Sequence, residues 1–240
     1  MREVSVSQLW GTTLDLLKVN WPLFVGLLVS LPSIIVILIF FLMPIFMLVP
    51  IFILLAYIPL MPVLVRAGYL VARQGQPSFG EVFRDLSSLL KIFVYELTLL
   101  LILWLLLRIA PPGWDGLDIL VVAGFIILFL SFFVWAAPYY VLSGRAGIFS
   151  AVGQSFYLTW RNFSEVFVAL LSVIGLLILG LLPLGLGLLM KAPDLILVGG
   201  LFYGLWLLVV ASMVSVFLPL LYFALTDEEG VSHSKSLRLG

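Results

Sequence analysis

An ionisable side chain inside an apolar helix is where membrane chemistry is expected, because holding it at the bilayer centre costs at least ~2.5–3.5 kcal/mol. Glu96 is the best such residue in the chain, just inside an apolar run, with Tyr95 and Thr98 beside it. Proton transfer or substrate binding is the chemistry that position allows, with Lys91 or a basic residue of another helix as its expected partner. A place at the headgroup boundary, solvated by water, is the alternative. Glu165 follows Arg161 by four residues, the spacing of a pair on one helix face. Asp115, Asp118 and Asp194 fall in short polar loops. PPGWDGLD reads as a turn rather than a metal site, and isolated acids do not make a calcium loop.

The remaining chemistries lack their residues. The chain has no cysteine, and its one histidine, His233, lies in a polar tail. Thiolate metal sites, cysteine nucleophiles, histidine-ligated haem or zinc and a serine–histidine pair are thereby excluded within the membrane. Paired intramembrane aspartates and an acidic metal-binding cluster are missing as well. No enzyme activity, metal or cofactor is expected. Net charge is zero, so no basic field for nucleic acid exists.

What must position these residues is almost entirely apolar. Only 10% of the chain is charged and 64% is hydrophobic, against roughly 25% charged in average soluble domains. Trp21 to Val65 and Leu195 to Thr226 contain no Asp, Glu, Lys, Arg or His. A hydrocarbon layer about 30 Å thick needs ~20 apolar residues per helical crossing. The sequence therefore predicts an all-α, polytopic membrane bundle with six crossings, near Trp21–Leu42, Ile45–Val65, Ile92–Leu107, Leu117–Leu142, Val166–Leu189 and Leu195–Leu225. One integral membrane domain covers residues 1–226 and a polar tail covers 227–240. The first 20 residues are polar and amphipathic, so the first apolar run is expected to be a retained anchor rather than a cleaved signal.

Orientation follows from charge. Of 12 Lys and Arg residues, only Arg108 and Lys191 fall on one side of this arrangement. Arg2, Lys18, Arg66, Arg73, Arg84, Lys91, Arg145, Arg161, Lys235 and Arg238 fall on the other, which the positive-inside bias makes cytoplasmic. Both termini are expected there, in a cell (inner) membrane.

The segments ahead of the odd-numbered crossings resemble one another: SVSQLWGTTLDLLKVNW from Ser5, SFGEVFRDLSSLLKIF from Ser78 and GIFSAVGQSFYLTWRNF from Gly147. Each carries an apolar stripe at helical spacing. In the first it is Val6, Leu9, Trp10, Leu14 and Leu17. In the second it is Phe79, Val82, Phe83, Leu86, Leu89, Leu90 and Phe93, and in the third Phe149, Val152, Phe156, Trp160 and Phe163. Ser78 with Glu81 marks a capping box. Prolines recur toward the cytoplasmic ends of the even crossings, at Pro59, Pro62, Pro138 and Pro219. The expected unit is an amphipathic helix plus a transmembrane hairpin, repeated over about residues 5–66, 78–142 and 147–226. Two placements of the stripes stay open: packed on the bundle, or lying in the cytoplasmic leaflet with the apolar face immersed about 5–10 Å.

An amphipathic segment, a hairpin and a proline–aromatic exit, clearest in PYYVLSGRAGIFSAVGQSFYLTWRNF from Pro138 to Phe163, resemble the membrane domain attached to some glycerophosphodiester phosphodiesterases and its stand-alone integral-membrane relatives. The resemblance covers nearly the whole chain and implies membrane association. It carries over no catalytic residue, because the catalytic barrel of those enzymes is missing.

Small residues supply the last signal. Gly200 and Gly204, continued at near-helical spacing by Ala211 and Ser215, form a face that lets helix backbones approach closely. Gly175, Gly180, Gly185, Gly187 and Pro183 invite a kink in the preceding crossing. The expected partners are the lipid bilayer and other membrane subunits or a second copy. The leading expectation is a non-catalytic accessory, scaffold or assembly subunit of a membrane complex. A transporter or channel for a lipid or small apolar molecule, and a membrane-shaping protein using its amphipathic helices, are the alternatives.

Overall fold

The computed structural model describes residues 5–42, 60–108, 122, 126, 129 and 132–226. Every element among them is a helix: α1 (Val6–Leu42), α2 (Leu60–Gln74), α3 (Phe79–Phe83), α4 (Leu86–Arg108), α5 (Ala137–Leu142), α6 (Ile148–Arg161), α7 (Phe163–Leu189) and α8 (Pro193–Thr226). Among the described residues, three stretches are long and apolar enough to cross a membrane: Val6–Ser30, Phe163–Leu189 and Val198–Thr226. The expected crossings Ile92–Leu107, Val166–Leu189 and Leu195–Leu225 fall within α4, α7 and α8. Residues 45–59 of the expected crossing Ile45–Val65 and nearly half of Leu117–Leu142 lie outside the described residues, as do Asp115, Asp118 and the tail with His233.

α8 is the central post, packed against α7, α2 and α1. α7 and α8 form an antiparallel hairpin. Lys191, with φ 51°, closes α7 in the left-handed region, the Ala192 amide reaches back to the Gly187 carbonyl at 3.1 Å, and Pro193 opens α8, where a missing N–H is harmless. The hairpin arms meet through small residues. A Cβ on Gly199 would lie 2.7 Å from Leu184 Cα, and one on Gly180 would lie 1.9 Å from the Trp206 ring. Trp206 Nε1 donates to the Leu176 carbonyl at 2.7 Å.

Three local outcomes depart from the sequence reading. The first amphipathic segment is no separate helix, because α1 runs unbroken from Val6 into the apolar run. α2 runs from Leu60 to Gln74, past the expected limit of the second crossing at Val65, and buries Leu60, Val63, Leu64, Ala67 and Val71, an i, i+3, i+4, i+7 set. The second stripe is cut in two, since α3 ends at Phe83 and Asp85 starts α4 by accepting the Ser88 amide at 3.1 Å. Acidic residues at that position satisfy helix-start amides. The expected tie between Ser78 and Glu81 is present as the Ser78 amide donating to Glu81 Oε2 at 2.7 Å.

Candidate functional site

A set of buried polar side chains from two helices meets at a break in a third. The apolar stretch Phe132–Leu142 turns at Trp135 and Ala136 before α5 begins. Pro138 has no N–H to offer the carbonyl of Val134, four residues back. A hydrocarbon surround offers no water either, so each freed backbone group requires a side-chain partner. Tyr95 Oη donates to the Val134 carbonyl at 3.1 Å. Ser155 Oγ donates to the Phe133 carbonyl at 2.9 Å and accepts the Ala136 amide at 3.0 Å. Thr159 Oγ1 accepts from Trp135 Nε1 at 3.1 Å and faces the Phe132 carbonyl at 3.4 Å. Ser155 and Thr159 are fully buried.

α6 therefore packs through Ala151, Ser155, Leu158 and Thr159. Its aromatic stripe points the other way: Phe149 is 86% exposed, Phe156 45% and Trp160 67%, with Val152 half-buried. The first stripe behaves differently. Trp10 stacks on Phe217 with ring centroids 4.0 Å apart and donates through Nε1 to Ser172 Oγ at 2.8 Å. Leu9 and Leu17 are buried, and Leu14 is exposed. In the second, Phe79 and Leu86 are exposed and Phe83 is half-buried, while Val82 and Leu89 pack inward.

α8 carries the small-residue row in two halves. At Ser215 the backbones touch, since a Cβ on Gly68 would lie 1.7 Å from the Ser215 carbonyl oxygen. That carbonyl is the one Pro219 leaves without its helical amide. Toward the other end, Gly200 and Gly204 are exposed, and a Cβ on either meets nothing within 4 Å. Within the described fold the tight helix contacts are thus at Gly68, Gly180 and Gly199 rather than at the G-x-x-x-G. Gly200, Gly204, Ala211 and Ser215 instead line an apolar groove of ≈ 830 Å³, walled by residues such as Leu64, Leu177 and Tyr139. That volume falls within the ≈ 300–1,000 Å³ of small-molecule sites.

The charged candidates lie apart from the groove. Glu96 is half-buried in α4 beside the buried Tyr95. Lys18 pairs with Asp15 at 3.4 Å and Arg66 with Asp85 at 3.2 Å, whereas the expected Lys91–Glu96 and the Arg161–Glu165 pairings are not seen among the described residues. Ser164 Oγ donates to Glu165 instead, at 2.7 Å. Arg66 is buried, and the Asp85 carboxyl is held down to about 2 by the hydroxyl and amide of Ser88, with Arg66 adding to them. Asn20 ties α1 to the end of α2 by donating to the Leu16 carbonyl at 2.8 Å and the Gly75 carbonyl at 2.7 Å. The described residues contain no group of three His, Cys, Asp or Glu side chains placed to hold a metal ion. No protein-family model, curated protein or solved structure matches the chain.

Proposed function

We propose that this chain is a non-catalytic integral membrane protein that serves as an accessory or assembly subunit, presenting the outer half of α8 to a partner's membrane helix. One observation carries the reading: Gly200 and Gly204 stand exposed on α8 with nothing within 4 Å of an added Cβ. Small residues at four-residue spacing let a second helix come close enough for van der Waals contact and Cα–H···O contacts, which drive association in lipid. Several polar side chains of the apolar helices are meanwhile engaged in holding the bundle: Trp10 with Ser172, Tyr95 with Val134, Ser155 and Thr159 with the broken helix. The resemblance to membrane domains of glycerophosphodiester phosphodiesterases adds membrane association alone.

A second reading draws on the groove itself. Its ≈ 830 Å³ and apolar lining suit a lipid chain or a small apolar molecule, as a transporter or carrier requires. One experiment separates the two. The natural protein and Gly204→Leu are extracted in mild detergent, crosslinked and examined by native mass spectrometry. For a subunit, the natural protein retains a membrane-protein partner, and Gly204→Leu lowers the retained fraction about tenfold, the equivalent of ~1.4 kcal/mol. For a carrier, the retained mass is a small apolar molecule that Gly204→Leu excludes. A species carrying no protein partner overturns the subunit reading.

A further inference from the structure

α6 has three faces where an ordinary amphipathic helix has two. At about 100° per residue, Ala151, Ser155, Leu158 and Thr159 share one side and are buried against the broken helix. Phe149, Phe156 and Trp160 share a second side and stand exposed. Ser150, Gln154, Tyr157 and Arg161 share a third, also exposed. Burial accounts for the first face alone. The other two are turned outward, one strongly apolar and one polar, separated by about a quarter-turn of the helix. Outward faces of opposite character require two different solvents, side by side.

The apolar face does not end with α6. Phe156 stacks on Phe133 with ring centroids 4.5 Å apart, and Phe163, at the start of α7, stacks on Phe167 at 6.0 Å. α7 is one of the stretches able to cross a membrane, and it exposes Phe167, Val168 and Leu171 just beyond the junction. Phe132 joins the two, with Phe133 at 5.0 Å and Phe163 at 5.3 Å, so the aromatic face of α6 is continuous with the outward apolar surface of a helix long enough to span a membrane. Arg161, exposed and not ion-paired with Glu165 among the described residues, sits at that junction. Aromatic rings beside a basic side chain suit the headgroup layer.

We propose that α6 lies in the plane of the membrane at the boundary between headgroups and acyl chains, docked on a leaflet containing anionic phospholipid. Phe149, Phe156 and Trp160 enter the acyl region, Gln154 and Tyr157 face water, and Arg161 meets the phosphate. The inner face holds the broken helix, so one helix ties the bundle's hydrogen-bonded break to the lipid surface. This goes beyond the subunit reading and is independent of what α8 binds.

The absence of cysteine from the chain makes the test direct. Phe149→Cys, Phe156→Cys and Gln154→Cys are each spin-labelled in the full chain and reconstituted into phosphatidylcholine vesicles with and without phosphatidylglycerol. Collisional relaxation by oxygen and by a water-soluble nickel chelate reports depth. Labels at 149 and 156 are expected to favour oxygen, at about 5–10 Å below the phosphates, and the label at 154 to favour the nickel chelate. Spin-labelled phosphatidylglycerol is expected to associate in preference to phosphatidylcholine, and Arg161→Gln to reduce that preference about fivefold, as for one basic residue at a charged surface. The label at 149 is the independent check, since Phe149, unlike Phe156, has no ring stacked on it among the described contacts. Labels at 149 and 156 shielded from both reagents mean that protein covers the face, and labels open to the nickel chelate mean water does. Either result overturns the proposal, as does a lipid preference that Arg161→Gln leaves unchanged.

Discussion

A single hydrogen replaced by a methyl group decides whether α2 and α8 can pack as they do. At Gly68 the added carbon would fall 1.7 Å from the carbonyl oxygen of Ser215, and that atom is main chain, unable to rotate away. Pro219 is what leaves this oxygen without a helical donor, so a bare Cα edge is the natural neighbour for it. Gly68→Ala forces the helices apart and is expected to lower stability by about 1–3 kcal/mol, the usual range for overpacking. Gly200→Ala is the matched control. Its methyl meets nothing within 4 Å, and Ala favours the helix over Gly by up to about 1 kcal/mol. Unfolding by SDS titration in mixed micelles, followed by helical circular dichroism, compares the two. Equal stability of both variants with the natural protein would remove the close contact from the fold. The sequence draws attention to Gly200 and Gly204, which are exposed, and gives no sign of the close contact at Gly68, two residues after Arg66.

At the level of the element, the orientation of α6 shows why an amphipathic pattern has no fixed meaning next to a membrane. In water, Ser155 and Thr159 would mark the outer side and Phe149, Phe156 and Trp160 the core. Here the hydroxyls are buried and the rings exposed. The cause is the helix break at residues 132–136, where the Phe133 carbonyl and the Ala136 amide take the Ser155 hydroxyl as partner and the Phe132 carbonyl faces that of Thr159. Lipid tails, meanwhile, accept the aromatic side at no cost. Removing the hydroxyls with Ser155→Ala or Thr159→Val leaves Phe133, Ala136 or Trp135 short of a partner. Each loss is expected to be about 0.6–1.7 kcal/mol, the span measured for hydrogen bonds between membrane helices. The two changes should combine non-additively, because both groups hold one turn. Additive losses in a double-mutant cycle would mean that the two hydroxyls act on separate structures. The clue in the sequence was Pro138 within an apolar stretch, which demands donors from elsewhere. Composition alone did not say that α6 supplies them, nor that Tyr95 rather than Glu96 of the YE pair turns to the break.

Across the whole molecule, legibility tracks how sharply charge and turn residues bracket an apolar run. α7 and α8 end within a few residues of the limits expected from Glu165, Lys191 and Asp194, because a charged residue and a proline stand at their shared turn. α2 escaped notice for the converse reason. Arg66 and Arg73 looked like loop charges, yet Arg66 is buried and paired with Asp85, and the apolar positions around it keep the helical period. By charge placement in the sequence, Arg66, Arg84, Lys91, Arg145 and Arg161 are expected on one side, and the α7–α8 turn lies a full helix length from Arg161. At ~1.5 Å per residue, the 27 residues of α7 span a hydrocarbon layer. The turn at Lys191 must then emerge opposite Arg161. Positive-inside bias makes the cytoplasm the expected side for the Arg161 end. Membrane-impermeant maleimide applied to intact cells or right-side-out vesicles should label Asp194→Cys, while Ser150→Cys reacts only after the membrane is opened. The reverse pattern would invert the molecule. Labelling of both from one side would mean that α7 does not cross, and α6 would then have no leaflet boundary to occupy.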